Sequence, residues 1–416
     1  MSQLKEPYDI AIIGGGMVGI SLALLLAQQK RWKVLVLESQ SIQQGEIPQY
    51  SPSFDARSTA LSWSSRCIFE KLGVWQKIQQ HAQSIATIHV SDRGHMGLTR
   101  LQAQEAGVEA LGYVVENSWL GSVLMQQLAE TDIELIGDAK IQAIQPKADS
   151  MQLTATLENQ EVEINTRLLV VADGADSSSA KLLGIQPQKK DYGHSAIIAN
   201  LSLEAAHQAV AYERFTDQGP MALLPLADYK NTARSALVWT QPNHQAQELM
   251  ATDDSTFINQ LQARFGDRLG QFSQVGERIS YSLTQTLSEE QVRRRLVIAG
   301  NAAHSLHPVA GQGFNLSLRD MESLVNGLAR QPMDTDVGAL ETLLSYQDQR
   351  TQDQRAQDQR NTLLFTNGLS KLFGLSSPAV ALGRNSGLLM MDLVPSLRNQ
   401  FAHFGMGTQQ SGADYV

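Results

Sequence analysis

The clearest pattern along the chain is a run of apolar positions broken by glycine. After Asp9 the residues are apolar through Ile13, as in a parallel strand covered on both faces, and Gly14-Gly15-Gly16-Met17-Val18-Gly19 follows at once. Ile20 to Gln29, rich in Ala and Leu, predicts a helix packed on a sheet, and Lys33 to Leu37 predicts a second buried strand ending at Glu38. Together these make a βαβ unit. Ser39 to Ser53 is polar, with Gly45, Pro48 and Pro52, and reads as a loop, whereas Thr59 to Leu72 reads as a helix up to Gly73. Ile85 to Val90 and Gly112 to Val115 suit strands, and Trp119 to Ala129 has helical spacing. Short strands at 134–136, 140–144, 152–157 and 161–165 precede a buried one at 168–172. From Ser195 to Ser282 the pattern alternates again and carries Tyr212, Phe215, Leu223, Leu224, Trp239 and Tyr281. That predicts a second sheet, where we place the substrate. Gln347 to Arg360, with its imperfect Asp-Gln-Arg repeat, reads as a solvated helix.

At 416 residues the chain is long enough for two or three structural units, and 42% hydrophobic with 18% charged residues is ordinary for a globular protein. A net charge of -9 argues against a nucleic-acid binder, which displays a basic patch to neutralise phosphates. Cys67, the single cysteine, can form neither an internal disulfide nor a cysteine metal cage, which suits a reducing compartment. The polar start from Met1 to Tyr8 leaves no signal peptide, and no apolar run reaches the roughly 20 residues of a membrane span. A cytoplasmic location is expected, with any membrane contact peripheral. His194 and His307 have no partners at ligand spacing, so no metal site is expected.

Three segments carry candidate chemistry. Gly14, Gly16 and Gly19 form a GxGxxG pattern between strand and helix, where the backbone must approach a pyrophosphate and the helix N-terminus faces it. Glu38, about twenty residues on, is placed to accept hydrogen bonds from an adenosine ribose. The second segment is the strand end at Asp173-Gly174, which is equally a plain turn. In the third, the strand Leu296 to Ala299 delivers Asn301 at its carboxyl end. Pro308 through Gly311-Gln312-Gly313 to Asn315 then lets backbone lie flat against a planar ring and opens a helix toward it. A helix start there suits the negative charge of a reduced flavin.

At this point the sequence resembles the class A flavoprotein monooxygenases of the para-hydroxybenzoate hydroxylase fold, along nearly its whole length. More narrowly it resembles the ubiquinone-biosynthesis hydroxylases, through Ser53-Phe54-Asp55-Ala56-Arg57, Glu213-Arg214-Phe215-Thr216, Gly219-Pro220 to Leu226, and His307 to Asn315. The Gly-Asn-Ala-Ala form at Asn301 looks like the 2-polyprenyl-6-methoxyphenol hydroxylase branch. The resemblance implies an α/β fold. It would combine an FAD-binding Rossmann-like (GR2 type) domain over 1–75, 115–185 and 283–335 with an interleaved mixed β-sheet substrate domain over 76–114 and 186–282, and a C-terminal helical region over 336–416. It also implies FAD, with NAD(P)H and O2 as co-substrates, a flavin C4a-hydroperoxide, and a polyprenylated phenol as acceptor. Arg57, His304, Pro308 and Gln312 would stand at the reacting centre, although His304 could equally cap the turn that follows it. Two positions depart from the family pattern: Ala180, beside Lys181, where an arginine that meets the pyridine nucleotide is usual, and Asn301 in place of aspartate, whose amide can still accept from a ribityl hydroxyl. For each of Tyr212, Phe215, Leu223, Pro225 and Trp239, core packing competes with pocket lining. Apolar clusters between Leu363 and Phe404 either dock on the body or meet lipid or a partner. Three other readings stay open: another ring-hydroxylation step of the same pathway, a same-fold flavin reductase of prenyl lipids that uses no oxygen, and an FAD-holding subunit without activity.

Overall fold

A computed structural model describes residues 7–42, 57–94, 97–229, 231–305, 312–352, 390 and 392–407. In chain order it begins with β1 (Tyr8–Ile13), α1 (Met17–Gln29), β2 (Val34–Leu37), β3 (Ser58–Ser62), α2 (Trp63–Lys71) and α3 (Trp75–Ile78). Next come β4 (Ala82–Ile85), β5 (Thr87–Asp92), β6 (Leu98–Gln102), β7 (Gly112–Glu116), α4 (Asn117–Ala129), β8 (Glu134–Ile136), β9 (Lys140–Pro146), β10 (Met151–Leu157), β11 (Gln160–Val171) and α5 (Ser178–Leu182). The second half contains β12 (Gln188–Leu203), β13 (Val210–Thr216), β14 (Gly219–Tyr229), β15 (Thr232–Pro242), α6 (Asn243–Met250), α7 (Asp254–Phe265), β16 (Phe272–Val275) and β17 (Ile279–Leu287). It ends with β18 (Val292–Arg293), β19 (Leu296–Ile298), β20 (His304–Ser305), α8 (Gln312–Ala329), α9 (Leu340–Gln352) and α10 (Pro395–Met406).

The first sheet is a parallel ribbon, β19-β11-β1-β2-β8, extended by the antiparallel β18, β10 and β9. Its central strands are buried on both faces, which is why they read as unbroken apolar runs. One face is covered by α1, α4 and α8 through Ile20, Leu24, Leu120, Leu318 and Met321, the other by Leu153, Ile164 and Ile185. β11 holds two roles in one strand: its first half pairs antiparallel with β10 and its second half parallel with β1. The polar Thr166-Arg167 between the halves is what makes the sequence read as two strands. Buried Thr166 is nonetheless accommodated, its hydroxyl donating to the Leu168 carbonyl at 2.9 Å.

The second sheet runs β20-β17-β12-β15-β14-β13-β5-β6 and is antiparallel apart from the β13–β5 pair. A small sheet, β3-β7-β4, lies between the two layers. Here the expected helix from Thr59 to Leu72 is corrected. Ser58–Ser62 is a strand paired with β7, and the helix begins only at Trp63, where the Ser62 hydroxyl caps it by accepting from the Ser65 N–H. Among the described residues no helix is long and apolar enough to cross a membrane. Part of the expected apolar tail lies outside the described residues; of the rest, α10 docks on the body through Ala402 and Met406, while Met390 and Leu393 are exposed.

Candidate active site

The carboxyl ends of β1, β2, β11 and β19 lie along one edge of the parallel sheet, the edge at which such sheets bind ligands. Gly14 leaves β1 with φ +112°, a conformation strained for any other residue, and its N–H donates to the Leu37 carbonyl at 2.8 Å. A Cβ on Gly19 would fall on the Gly14 carbonyl oxygen, far inside the 3.0 Å that real Cβ atoms keep, so this glycine lets α1 pack down onto β1. α1 starts at Gly16 without any side-chain cap. Its first N–H groups are therefore left to a ligand, and with the helix dipole they favour an anion. Glu38 stands beside them. Its carboxylate accepts from the Gly15 N–H at 2.5 Å, the Gln40 N–H at 2.9 Å and the Ser39 hydroxyl at 3.1 Å, which fixes its orientation while leaving acceptor capacity for hydroxyls.

Asp173 follows β11. One carboxylate oxygen accepts from the Ser179 N–H at 3.1 Å; the other is buried and has no hydrogen bond among the described residues, so it is available to a donor. Gly174 has φ +95° and open space where a Cβ would be. Ala180 is buried, and Lys181 turns away along the surface, its ammonium 3.4 Å from the Asp176 carbonyl. After β19 the chain makes a 3-10 turn over Gly300–Ala302. There Gly300, at φ +60°, brings the third segment against Val18 in the first turn of α1, and Asn301 is exposed. The first and third segments, far apart in sequence, thus meet at one helix start.

The remaining expected residues divide. His304 is fully buried, its Nε2 3.0 Å from the Asp320 carboxylate, so the imidazole faces the interior rather than the strand-end edge. Asn315 is also buried and acts as a bolt: its Oδ1 accepts from the Ser62 N–H (2.8 Å) and the Ser65 hydroxyl (2.7 Å), and its Nδ2 donates to the Ala60 carbonyl (2.8 Å). It fixes the start of α8 against β3 and α2. Gly313 has open space around it, and Gln312 begins α8. Pro308 and Gly311 lie outside the described residues.

The second sheet has two unlike faces. One is closed by α6 and α7, and onto it pack Met221, Leu223, Leu237 and Trp239 with Phe257, Leu261 and Phe265. Tyr212 meets Phe265 edge-on at 5.5 Å, and Pro225, two residues beyond Leu223, shares that face. Of the expected pocket-lining residues, Tyr212, Leu223, Pro225 and Trp239 therefore sit in or under this core; Trp239 also borders a separate cavity of about 350 Å³ with Gln241, Arg93 and Arg264. Only Phe215 is on the opposite face, buried beside Val90. That opposite face carries Ile198, Ala222, Leu224 and Val238, all half-buried though they lie in the middle of the sheet. Arg57 lies over it, its guanidinium carbon 4.9 Å from the Tyr281 ring. The motifs assign no role to Glu213, which stands on this same face and makes neither a hydrogen bond nor an ion pair with any described residue. The apolar side chains crowded around it push its carboxyl up to about 8, although the residue is only half-buried and keeps an opening on the free side of the sheet. A charged residue at an inward position of an apolar strand was the available signal.

An uncapped helix start at the strand-end edge, a carboxylate beside it and a half-buried apolar sheet face near an arginine form the arrangement expected of an enzyme that uses a nucleotide cofactor. The model of the FAD binding domain family matches residues 7–360, and the chain belongs to that family, among its FAD-dependent monooxygenases. It is 33% identical to the ubiquinone hydroxylase UbiL of Rhodospirillum rubrum, over 98% of this chain and 91% of that protein. It is 29% identical to the 3-demethoxyubiquinol 3-hydroxylase of Escherichia coli, over 97% and 99% respectively. The p-nitrophenol 4-monooxygenase PnpA of Pseudomonas putida shares its fold, with a TM-score of 0.73 and 17% identity over 97% of this chain and 98% of that one.

Proposed function

We propose that this enzyme hydroxylates the ring of a polyprenylated phenol in ubiquinone biosynthesis, using FAD, NAD(P)H and O2, and that its substrate is a 2-polyprenyl-6-methoxyphenol. The observation that carries the reading is the half-buried apolar floor of Ile198, Ala222, Leu224 and Val238, which lies on the side of Arg57 and away from α6 and α7. Similarity to the Rhodospirillum rubrum ubiquinone hydroxylase supports it.

In this reading the α1 N-terminus, with Gly14, Gly16 and Gly19, takes the pyrophosphate of FAD and Glu38 the adenosine ribose. The unpaired Asp173 oxygen, Gly174 and the exposed Asn301 face the ribityl chain, and Arg57 faces the polar edge of the flavin. Pro308 and the segment Gly311-Gln312-Gly313 would meet the isoalloxazine, and Asn315 anchors the first turn of α8 beyond them. His304 supports that segment through Asp320. When bound, the flavin supplies the activation of dioxygen. The chain's own part is to position the phenol on the apolar floor, keep water from it and favour the phenolate. A tail of several isoprene units partitions into lipid, so the enzyme works at the cytoplasmic surface of a membrane, with Met390 and Leu393 near it.

The test is oxygen consumption by the FAD-loaded enzyme. It should require NAD(P)H and rise with an added prenyl methoxyphenol, with a hydroxylated product recovered in proportion. Reduction of the bound flavin without phenol-dependent oxygen uptake would instead mark an oxygen-independent reductase. An enzyme that holds FAD and never accepts a hydride would defeat the reading.

A further inference from the structure

Glu213 sits at the centre of β13 on the open face of the second sheet. Its cross-strand neighbours are Val90 and Ala222, and the row continues through Val238, Ile198 and Ile279. Every one of these is apolar, and only beyond Val90 does the row reach a polar side chain, the buried Thr99 of β6. The next residue, Arg214, turns to the other face beside Gly266, and Arg234, further along the open face, is held by Glu116 at 3.2 Å. Asp92 on β5 is opposite Phe215 and has its own interactions. Glu213 is half-buried, open toward the free side of this face, and a carboxyl set among apolar side chains with no hydrogen bond to a described residue is poorly solvated without a gain in pairing. Such a group signals a ligand that brings the missing partner.

We propose that Glu213 is a catalytic residue that binds the phenolic hydroxyl of the substrate and takes its proton. This rests on the functional reading above and names the group that generates the phenolate. The geometry suits it. Arg57 and Tyr281 stand over β17, four strands from β13, roughly 19 Å at about 4.8 Å per strand, enough for a flavin ring and a phenol side by side on the floor. The row that joins Glu213 to Ile279, two residues before Tyr281, has no polar side chain between its ends, and Thr240 in the row of Tyr281 is buried.

In the step, the phenol O–H bond breaks, its electron pair stays on the ring oxygen and the proton goes to the Glu213 carboxylate. The phenolate then directs charge to the ring carbons ortho and para to it, the positions an electrophilic oxygen attacks. When the ring regains aromaticity its C–H proton passes to water with the electron pair retained in the ring, and the proton on Glu213 returns to the original oxygen, restoring the carboxylate. An ordinary glutamate, near 4.3, is a poor match for a phenol near 10, whereas a carboxyl raised to about 8 closes much of that gap.

The test uses the full-length FAD-loaded enzyme, with 2-methoxyphenol carrying one prenyl group at carbon 6 as probe, across pH 6 to 10. Wild type is expected to show kcat/KM rising through a limb near pH 8. Glu213→Gln should keep its FAD, lose product formation about 100-fold and lose the limb. Bound probe should show the phenolate absorbance band at high pH with wild type and not with this variant. If Glu213→Gln forms product within threefold of wild type, or keeps the limb, the proposal is overturned. Should that variant not hold FAD, Glu213→Asp decides: a product rate at least fivefold lower with the limb retained supports the assignment, and any other result overturns it. No probe-dependent oxygen uptake by wild type overturns the functional reading and this proposal together, whereas turnover by wild type with an indifferent Glu213→Gln overturns only the second.

Discussion

Three glycines at the strand-end edge separate two physical demands, and substituting each by alanine should grade their cost. Gly174 has φ +95° with nothing within 4 Å of where an alanine methyl would stand, so Gly174→Ala carries conformational strain alone, about 1–2 kcal/mol. Gly19 has an ordinary helical conformation, but its Cβ would fall on the Gly14 carbonyl oxygen. Relief requires α1 to move off β1, which costs about 1–3 kcal/mol of packing and shifts the N–H groups aimed at the pyrophosphate. Gly14 combines both faults, φ +112° and a Cβ within 2.9 Å of the Asp173 nitrogen and closer still to the Ala172 carbonyl, for about 2–5 kcal/mol. Loss of glycine entropy in the unfolded chain offsets about 0.4–1 kcal/mol in each variant. Thermal unfolding of the apo-protein should therefore rank Gly14→Ala as most damaging and Gly174→Ala as least, at about 2–4 °C per kcal/mol for a unit of this size. FAD titration followed by flavin fluorescence should show Gly19→Ala losing affinity out of proportion to its stability. A Gly174→Ala variant as unstable as Gly14→Ala, or a Gly19→Ala variant with wild-type FAD affinity, would refute the reasoning.

Asn315→Ala takes the acceptor from the buried Ser62 N–H and the donor from the half-buried Ala60 carbonyl, and should cost about 2–4 kcal/mol in urea denaturation; a loss below about 1 kcal/mol removes the bolt from the account. Glu38→Ala should raise the Kd for FAD about 10- to 100-fold, from the loss of charge-assisted hydrogen bonds to ribose, and an unchanged Kd would move the ribose elsewhere. Asp336 is pushed up by burial but held lower, on balance, by hydrogen bonds from Arg295 and the Gly338 N–H. Because its folded value is depressed, its contribution is present above the usual carboxylate value near 3.9 and is lost as pH falls through the folded value. Asp336→Asn should thus cost about 2 kcal/mol at pH 7, since it strips the buried Arg295 of its partner, and the gap to wild type should close on acidification below about pH 4. A gap independent of pH would assign that loss to packing.

The parts of the fold that could be read from sequence are those whose cause is local. β1, α1 and β2 announce themselves because a doubly covered strand has no polar position, and because Gly14 and Gly19 are demanded by contacts within the same turn. β3 did not, because Ser-Thr-Ala-Leu-Ser has no strand pattern of its own. Its pairing with Tyr113 and Val115, more than fifty residues away, makes it a strand, and its last serine is what starts α2. His304 and Asn315 were placed at the cofactor by their motif. Their actual partners, Asp320 and the Ser62–Ser65 turn, depend on how α8 docks, which the motif spacing does not contain.

The same limit governs where the substrate floor was sought. Large aromatic residues draw attention as ligand contacts, yet the closed face of the second sheet needs volume to fill the space under α6 and α7, and Trp239, Phe257 and Phe265 supply it. The open face has the opposite requirement, because a ligand needs room there. Its residues are smaller, and the mark of function is a side chain that the core does not satisfy. Period-two alternation already puts Glu213 opposite to Tyr212, just as it puts Val238 opposite to Trp239, so both faces were encoded in the sequence. What the sequence could not say is which face the helices cover, and once α6 and α7 claim the aromatic one, the carboxyl on the other is left to the substrate.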